Sequence, residues 1–270
     1  MGKITEEARK KYTDKIIEYK QTIDSILAHE KTVLDAAGKN PSGAAFMRIT
    51  LADDMLNLIS YYLLLNNLSM SLLGVKNEDA LNEARKTVYK VLIYLEEVVS
   101  AFIDVPFSDY EAKLEEIAAL SEEQRYDLLR KIGFAIKSVE DAFGDNSKWK
   151  WSFVELEGRF ATIAKNLFDM KSGVKNMEPG APSYEASVLH FRLIKKLFQQ
   201  AADRYREKYE LSTMRIDDFK LAISYLSALK RIESLLGDRD EAESLKKKIE
   251  IWSQKMENDV KKIESEKGKI

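Results

Sequence analysis

Breaks bearing glycine or proline punctuate this chain at wide, similar intervals: near Gly38, Gly74, Pro106, Gly144, Pro179 and Gly237. A glycine-free break falls at Leu211–Ser212–Thr213. The stretches between them read as helix, and strand signals are nearly absent. Glycine closes a helix by accepting the left-handed conformation, and each stop is followed within a few residues by a new start. Short links between long helices make antiparallel neighbours. The expected fold is all-α, eight or nine long antiparallel helices in a bundle or short α-solenoid. The helices are expected at 4–37, 42–73, 77–103, 108–119, 121–143, 147–172, 183–210, 212–236 and 238–266.

Capping residues mark the starts. Ser108 with Glu111, Ser121 with Gln124, and Asp238 with Glu241 have capping-box spacing. Asn77, Ser147 and Ser183 are simpler N-cap candidates. The run 173–182 holds two glycines and two prolines and is the longest expected loop. The chain is therefore read as a single helical domain, 1–270, with a possible seam at 173–182 between a bundle at 1–172 and a three-helix part at 183–270.

Several helices carry a four-three apolar rhythm, which keeps one stripe facing a partner. The first holds Tyr12, Ile16, Tyr19, Ile23, Ile26, Glu30, Val33 and Ala37 in that register; the last holds Leu245, Ile249, Trp252 and Met256. In the seventh expected helix, Lys195 interrupts a stripe of Phe191, Phe198, Ala202, Tyr205 and Tyr209. Glu30 and Lys195 either fix register, meet each other or another partner, or reach solvent from partly exposed stripes, the last being the preferred expectation. A structural coiled-coil homodimer through the first or last stripe is one functional alternative.

Composition narrows the function classes. Charged residues make up 33% of the chain, yet the formal net charge is -2, so there is no overall pull toward nucleic acid or anionic membrane. The absence of cysteine removes disulfides, thiolate metal sites and cysteine nucleophiles. Met1–Glu7 lacks the apolar stretch of a secretory signal, which points to a cytoplasmic protein. Met55–Val75 contains no charge, long enough to span a bilayer. Its asparagines and serines are costly in hydrocarbon, so it reads instead as the most buried helix of a soluble core.

No phosphate-cradling glycine loop and no nucleophile elbow is present. The chain has only His29 and His190, too few for a histidine-rich metal site, and no cofactor is implied. Gly237–Ala242, with Leu229 upstream, resembles the turn and second-helix start of a tetratricopeptide repeat over about one unit. Lys230 and Lys246 depart from that pattern. The resemblance implies helical stacking and peptide binding.

Asp53, Asp54 and Asn57 resemble the aspartate-rich motif of the all-helical isoprenoid synthases. Asn258, Asp259 and Glu266 loosely resemble the second metal motif of terpene cyclases, with Lys262 where a hydroxyl is expected. That resemblance implies a magnesium-dependent enzyme acting on a pyrophosphate. The preferred expectation is a non-catalytic scaffold or adaptor for a peptide or protein, possible acidic partners included. Its contact surface is the basic face of the seventh helix, Arg192, Lys195 and Arg204, with Trp151 and Arg159 of the sixth, where arginine forks hold carboxylates and an exposed tryptophan anchors a partner.

Overall fold

The computed structural model describes residues 5–41 and 43–267, with the side chains of residues 107, 266 and 267 left aside. Ten α-helices and no strand occur among the described residues. They are α1 (Glu6–Lys39), α2 (Ala44–Leu73), α3 (Glu78–Val98), α4 (Glu111–Glu116), α5 (Glu122–Phe143), α6 (Lys150–Leu167), α7 (Met170–Asn176), α8 (Tyr184–Lys208), α9 (Ile216–Leu236) and α10 (Arg239–Lys267). A 3-10 turn at Phe107–Asp109 precedes α4, and a π-turn at Tyr209–Thr213 extends α8. No described helix is long and apolar enough to cross a membrane.

The extra helix comes from the expected 147–172 segment. Asp169 breaks it and starts α7, its carboxylate accepting from the backbone N–H of Lys171 and Ser172. Gly173–Asn176, expected in a loop, are the last turn of that capped helix. Ser121 and Gln124 form the reciprocal capping box as expected, and Asn77 caps α3. Ser108 does not cap: its hydroxyl donates to Asp109, and α4 begins after Tyr110 without a side-chain cap. Gly38 lies inside α1, which ends at Lys39 with the extended Asn40 as its C-cap, just before Pro41, where continuation is blocked.

The chain divides into two compact units. One comprises residues up to Ser100 with Tyr110–Leu156; the other comprises Ala101–Asp109 and the chain from Glu157. Helix α6 thus gives its first turns to one unit and the rest to the other.

In the first unit, α2 and α3 form a hairpin closed by Gly74 in the left-handed conformation. The buried Asn66 carboxamide accepts from the Asn77 N–H and ties that turn to α2. Helix α1 lies along α2, and α5 packs on both α2 and α3. The stripe expected on α1 is the one it turns inward, with Ile23, Glu30 and Ala37 buried. Glu30 does not reach solvent. It accepts from Lys90 and from the Tyr94 hydroxyl of α3, and burial beside that carboxylate pushes the Tyr94 phenol well above its usual range.

In the second unit, α9 packs against both α8 and α10. The latter part of α6 meets α8 and α9 at Gly158, where an added Cβ would lie 2.7 Å from both Tyr205 and Tyr225. Those two rings stack 5.8 Å apart. Every residue from Phe160 to Phe168 is buried. The most buried stretch is therefore in α6, not in the uncharged α2, which leaves Asn57, Ser60, Leu64, Asn67 and Met70 exposed.

At the end of α8 the π-turn keeps the fully buried Tyr209 stacked on Phe219, 4.8 Å between centroids, while its hydroxyl donates to Asp259 of α10 at 2.9 Å. Met214 closes the turn at φ 49, its N–H donating to the Tyr209 carbonyl.

Candidate functional site

The residues named as a partner surface fall in different surroundings. Trp151, in the first unit, is half-buried with the Lys150 ammonium 4.7 Å above its ring. The other four lie in the second unit. Arg159 is half-buried and Arg192 is exposed. Lys195 pairs at 2.6 Å with Glu233, which is 1% exposed, and Arg204 donates to Glu157 at 2.8 Å. Lys195, partly exposed as its stripe implied, therefore also meets a partner: it neutralises a buried acid. Of the basic face, Arg192 and the exposed Lys196 remain one turn apart with no ion pair among the described residues.

The acidic motif of α2 is split. Asp53 is exposed and bound to Lys131 of α5 at 2.6 Å, while Asp54 turns toward His29 of α1 at 3.6 Å. Asn57 is exposed. Asp259 accepts from Tyr209 and Lys255, and the Glu266 side chain lies outside the described residues. No group of three or more acidic or histidine side chains converges among the described residues.

His190 is fully buried, its Nε2 2.8 Å from the Ala164 carbonyl and its ring edge-on to Phe168. Lys165, next to Ala164 in the chain, is 6% exposed, and burial lowers its ammonium pKa to about 8 against a partial offset from Asp104.

A second candidate, missed by the sequence reading, lies in the first unit where the α5–α6 link meets the start of α3. The link Gly144–Asp145–Asn146–Ser147 crosses beside Lys76, whose ammonium donates to the Phe143 carbonyl at 2.9 Å. Ser147 then accepts from the Trp149 N–H, and the Arg85 guanidinium lies 3.8 Å over the indole. An open groove of about 670 Å³ results, with Glu78, Asn82 and Lys148 on its walls. Trp149 Nε1 and Asn82 Oδ1 are both shielded from water and lack a partner among the described residues. Such orphan groups cost about 1–3 kcal/mol each. The sequence signal was the turn-rich run directly before a tryptophan; the orphan atoms depend on α3, far away in the chain.

A family model described as the TP0443 family matches residues 8–260. The chain belongs to the TP0443 family. The TP0443 match runs through both compact units, so both belong to what the family shares. It lends no support to a tetratricopeptide repeat around Gly237–Ala242, where α9 and α10 are 21 and 29 residues long. No curated protein and no solved structure matches the chain.

Proposed function

We propose that this protein is a non-catalytic helical scaffold or adaptor that binds a peptide or protein segment, with the Trp149 groove as its reading site. The carrying observation is the pair of orphan polar atoms at that groove. An indole N–H lacks an acceptor and a carboxamide oxygen lacks a donor. A backbone amide offers both complements, so an extended peptide that displaces the side chains shielding these atoms recovers what the free protein forgoes. Glu78 and Lys148 carry opposite charges on its walls, which favours a segment bearing both signs over a purely acidic one. The magnesium-enzyme alternative has little to stand on: Asp53 is held by a lysine on the surface.

The test is selection of a random peptide library on the full chain, followed by titration of an enriched peptide against Trp149→Phe and Asn82→Leu. One enriched motif with affinity lowered about tenfold in each variant, the worth of one hydrogen bond, supports the reading. No enriched motif, or equal affinity for all three proteins, overturns it.

A further inference from the structure

The Trp149 groove holds more unserved chemistry than the two atoms that mark it. Asn82, Arg85 and Tyr89 share one face of α3, and Trp149 and Ser152 stand one turn apart where α6 begins. The two faces meet: the Arg85 guanidinium lies 3.8 Å over the Trp149 indole, and the Tyr89 hydroxyl donates to the Ser152 carbonyl at 3.4 Å. Four side-chain atoms of this seam are shielded from water and lack a hydrogen-bond partner among the described residues: Asn82 Oδ1, Arg85 Nε, Trp149 Nε1 and Ser152 Oγ. Arg85 and Trp149 only donate, the Ser152 hydroxyl can donate, and Asn82 Oδ1 only accepts. Donors therefore outnumber the acceptor three to one. Charge leans the same way. Arg85 and Lys148 both face the Trp149 ring, the latter at 5.3 Å, and neither has an ion pair among the described residues. On the groove walls Lys76 and Lys148 balance Glu78 and Asp145, which leaves Arg85 in excess. Glu155, the acid further along α6, accepts from Tyr89 instead.

We propose that this groove reads the end of a chain: a free C-terminal carboxylate together with the last backbone N–H. The proposal rests on the peptide-binding reading of the same groove and narrows it. An internal peptide bond brings one carbonyl and one N–H, which leaves donors of the seam unserved. A chain end brings two carboxylate oxygens, with about four lone-pair sites, and keeps an N–H for Asn82 Oδ1. It also brings the negative charge that Arg85 and Lys148 lack. In the free protein the Arg85 guanidinium covers the indole. A carboxylate offers that guanidinium a two-point, charge-assisted bond that a ring face does not, and so draws it off the indole. Glu78 and Asp145 remain on the walls, so the fitting end carries a lysine or arginine close to its terminus. An inorganic anion lacks the N–H. An internal aspartate or glutamate holds its carboxylate at least one bond further from its N–H than a chain end does.

The probe is a pool of short random peptides made twice, once ending in a free carboxylate and once in a carboxamide. Each pool is passed over the full chain and the retained peptides are read by mass spectrometry. The expected result is enrichment, from the acid pool, of ends with a basic residue near the terminus. An enriched peptide binds about tenfold tighter as the acid than as its own amide, and added salt shrinks that margin. Arg85→Gln removes the charge over the indole and brings the margin down to about threefold or less. Lys148→Gln, at an exposed position, lowers it as well and carries the test should Arg85→Gln melt early. Equal affinity for acid and amide overturns the chain-end proposal and leaves the peptide groove standing. So does an amidated peptide with an internal aspartate that binds as tightly as the acid, or a margin that both variants leave untouched. No enrichment from either pool overturns the groove and the chain-end proposal together.

Discussion

Helices α2 and α6 invert each other. From Met55 to Val75 the chain carries no charge, yet α2 keeps an exposed stripe. From Phe160 to Phe168 the chain includes Thr162, Lys165 and Asn166, yet all nine residues are buried. The difference teaches that burial is set by how many neighbours surround a helix. Composition reports only what a helix can tolerate. The latter part of α6 holds polar residues whose donors are served: Thr162 donates to the Gly158 carbonyl within the helix, and Asn166 donates to the Phe102 carbonyl outside it.

The largest effect separates the two helices directly. Ala164→Asp places an unpaired carboxylate at a fully buried site of α6 and should cost more than about 4 kcal/mol. The same charge at exposed Ser60 of α2 should stay within about 0.5 kcal/mol. Urea denaturation of both variants checks this; similar losses would erase the contrast.

A smaller effect sharpens what α6 gives up. The Lys165 pKa falls from 10.5 in the unfolded chain to about 8 in the fold. Below pH 8 both states hold the proton and the burial cost is complete. Between pH 8 and 10.5 the unfolded chain binds more proton, so this lysine's contribution to stability improves as pH rises. Lys165→Met should gain about 1–3 kcal/mol at pH 7, and the gain should shrink by pH 10.5. Denaturation midpoints at the two pH values decide it, and a pH-independent difference would contradict it.

Glycine gives a finer comparison. Gly158→Ala drives a methyl into Tyr205 and Tyr225 and should cost about 1–3 kcal/mol. Gly38→Ala, in α1 with nothing within 4 Å, should gain about 0.5–1 kcal/mol. Thermal melts of the pair should move in opposite directions, and a shared direction would show that α6 is less tightly packed than its geometry states.

Much of the fold was legible because it is local. The α1 and α10 stripes, the Ser121 capping box and the left-handed Gly74 and Gly237 depend on neighbours a few residues away. The α6–α7 break was masked because Asp169 reads equally well as a helix interior and as a cap. The site was far less legible. Lys195 and Arg204 looked available because their acids, Glu233 and Glu157, stand 38 and 47 residues distant in the chain. The Trp149 groove needs Asn82 and Arg85 from another helix, and spacing alone does not join them.

The π-turn at Tyr209–Thr213 has a consequence for how this chain can change length. One residue more or less there rotates α9 against α8 by about 100°. That swings Phe219 off the Tyr209 ring while Tyr209 is still held by Asp259. The link from Met177 to Ser183 carries no such pair of side-chain anchors among the described residues. Insertions and deletions should therefore accumulate between α7 and α8 and be purged between α8 and α9, so that the chain keeps a fixed count of residues where it has no glycine to absorb an error.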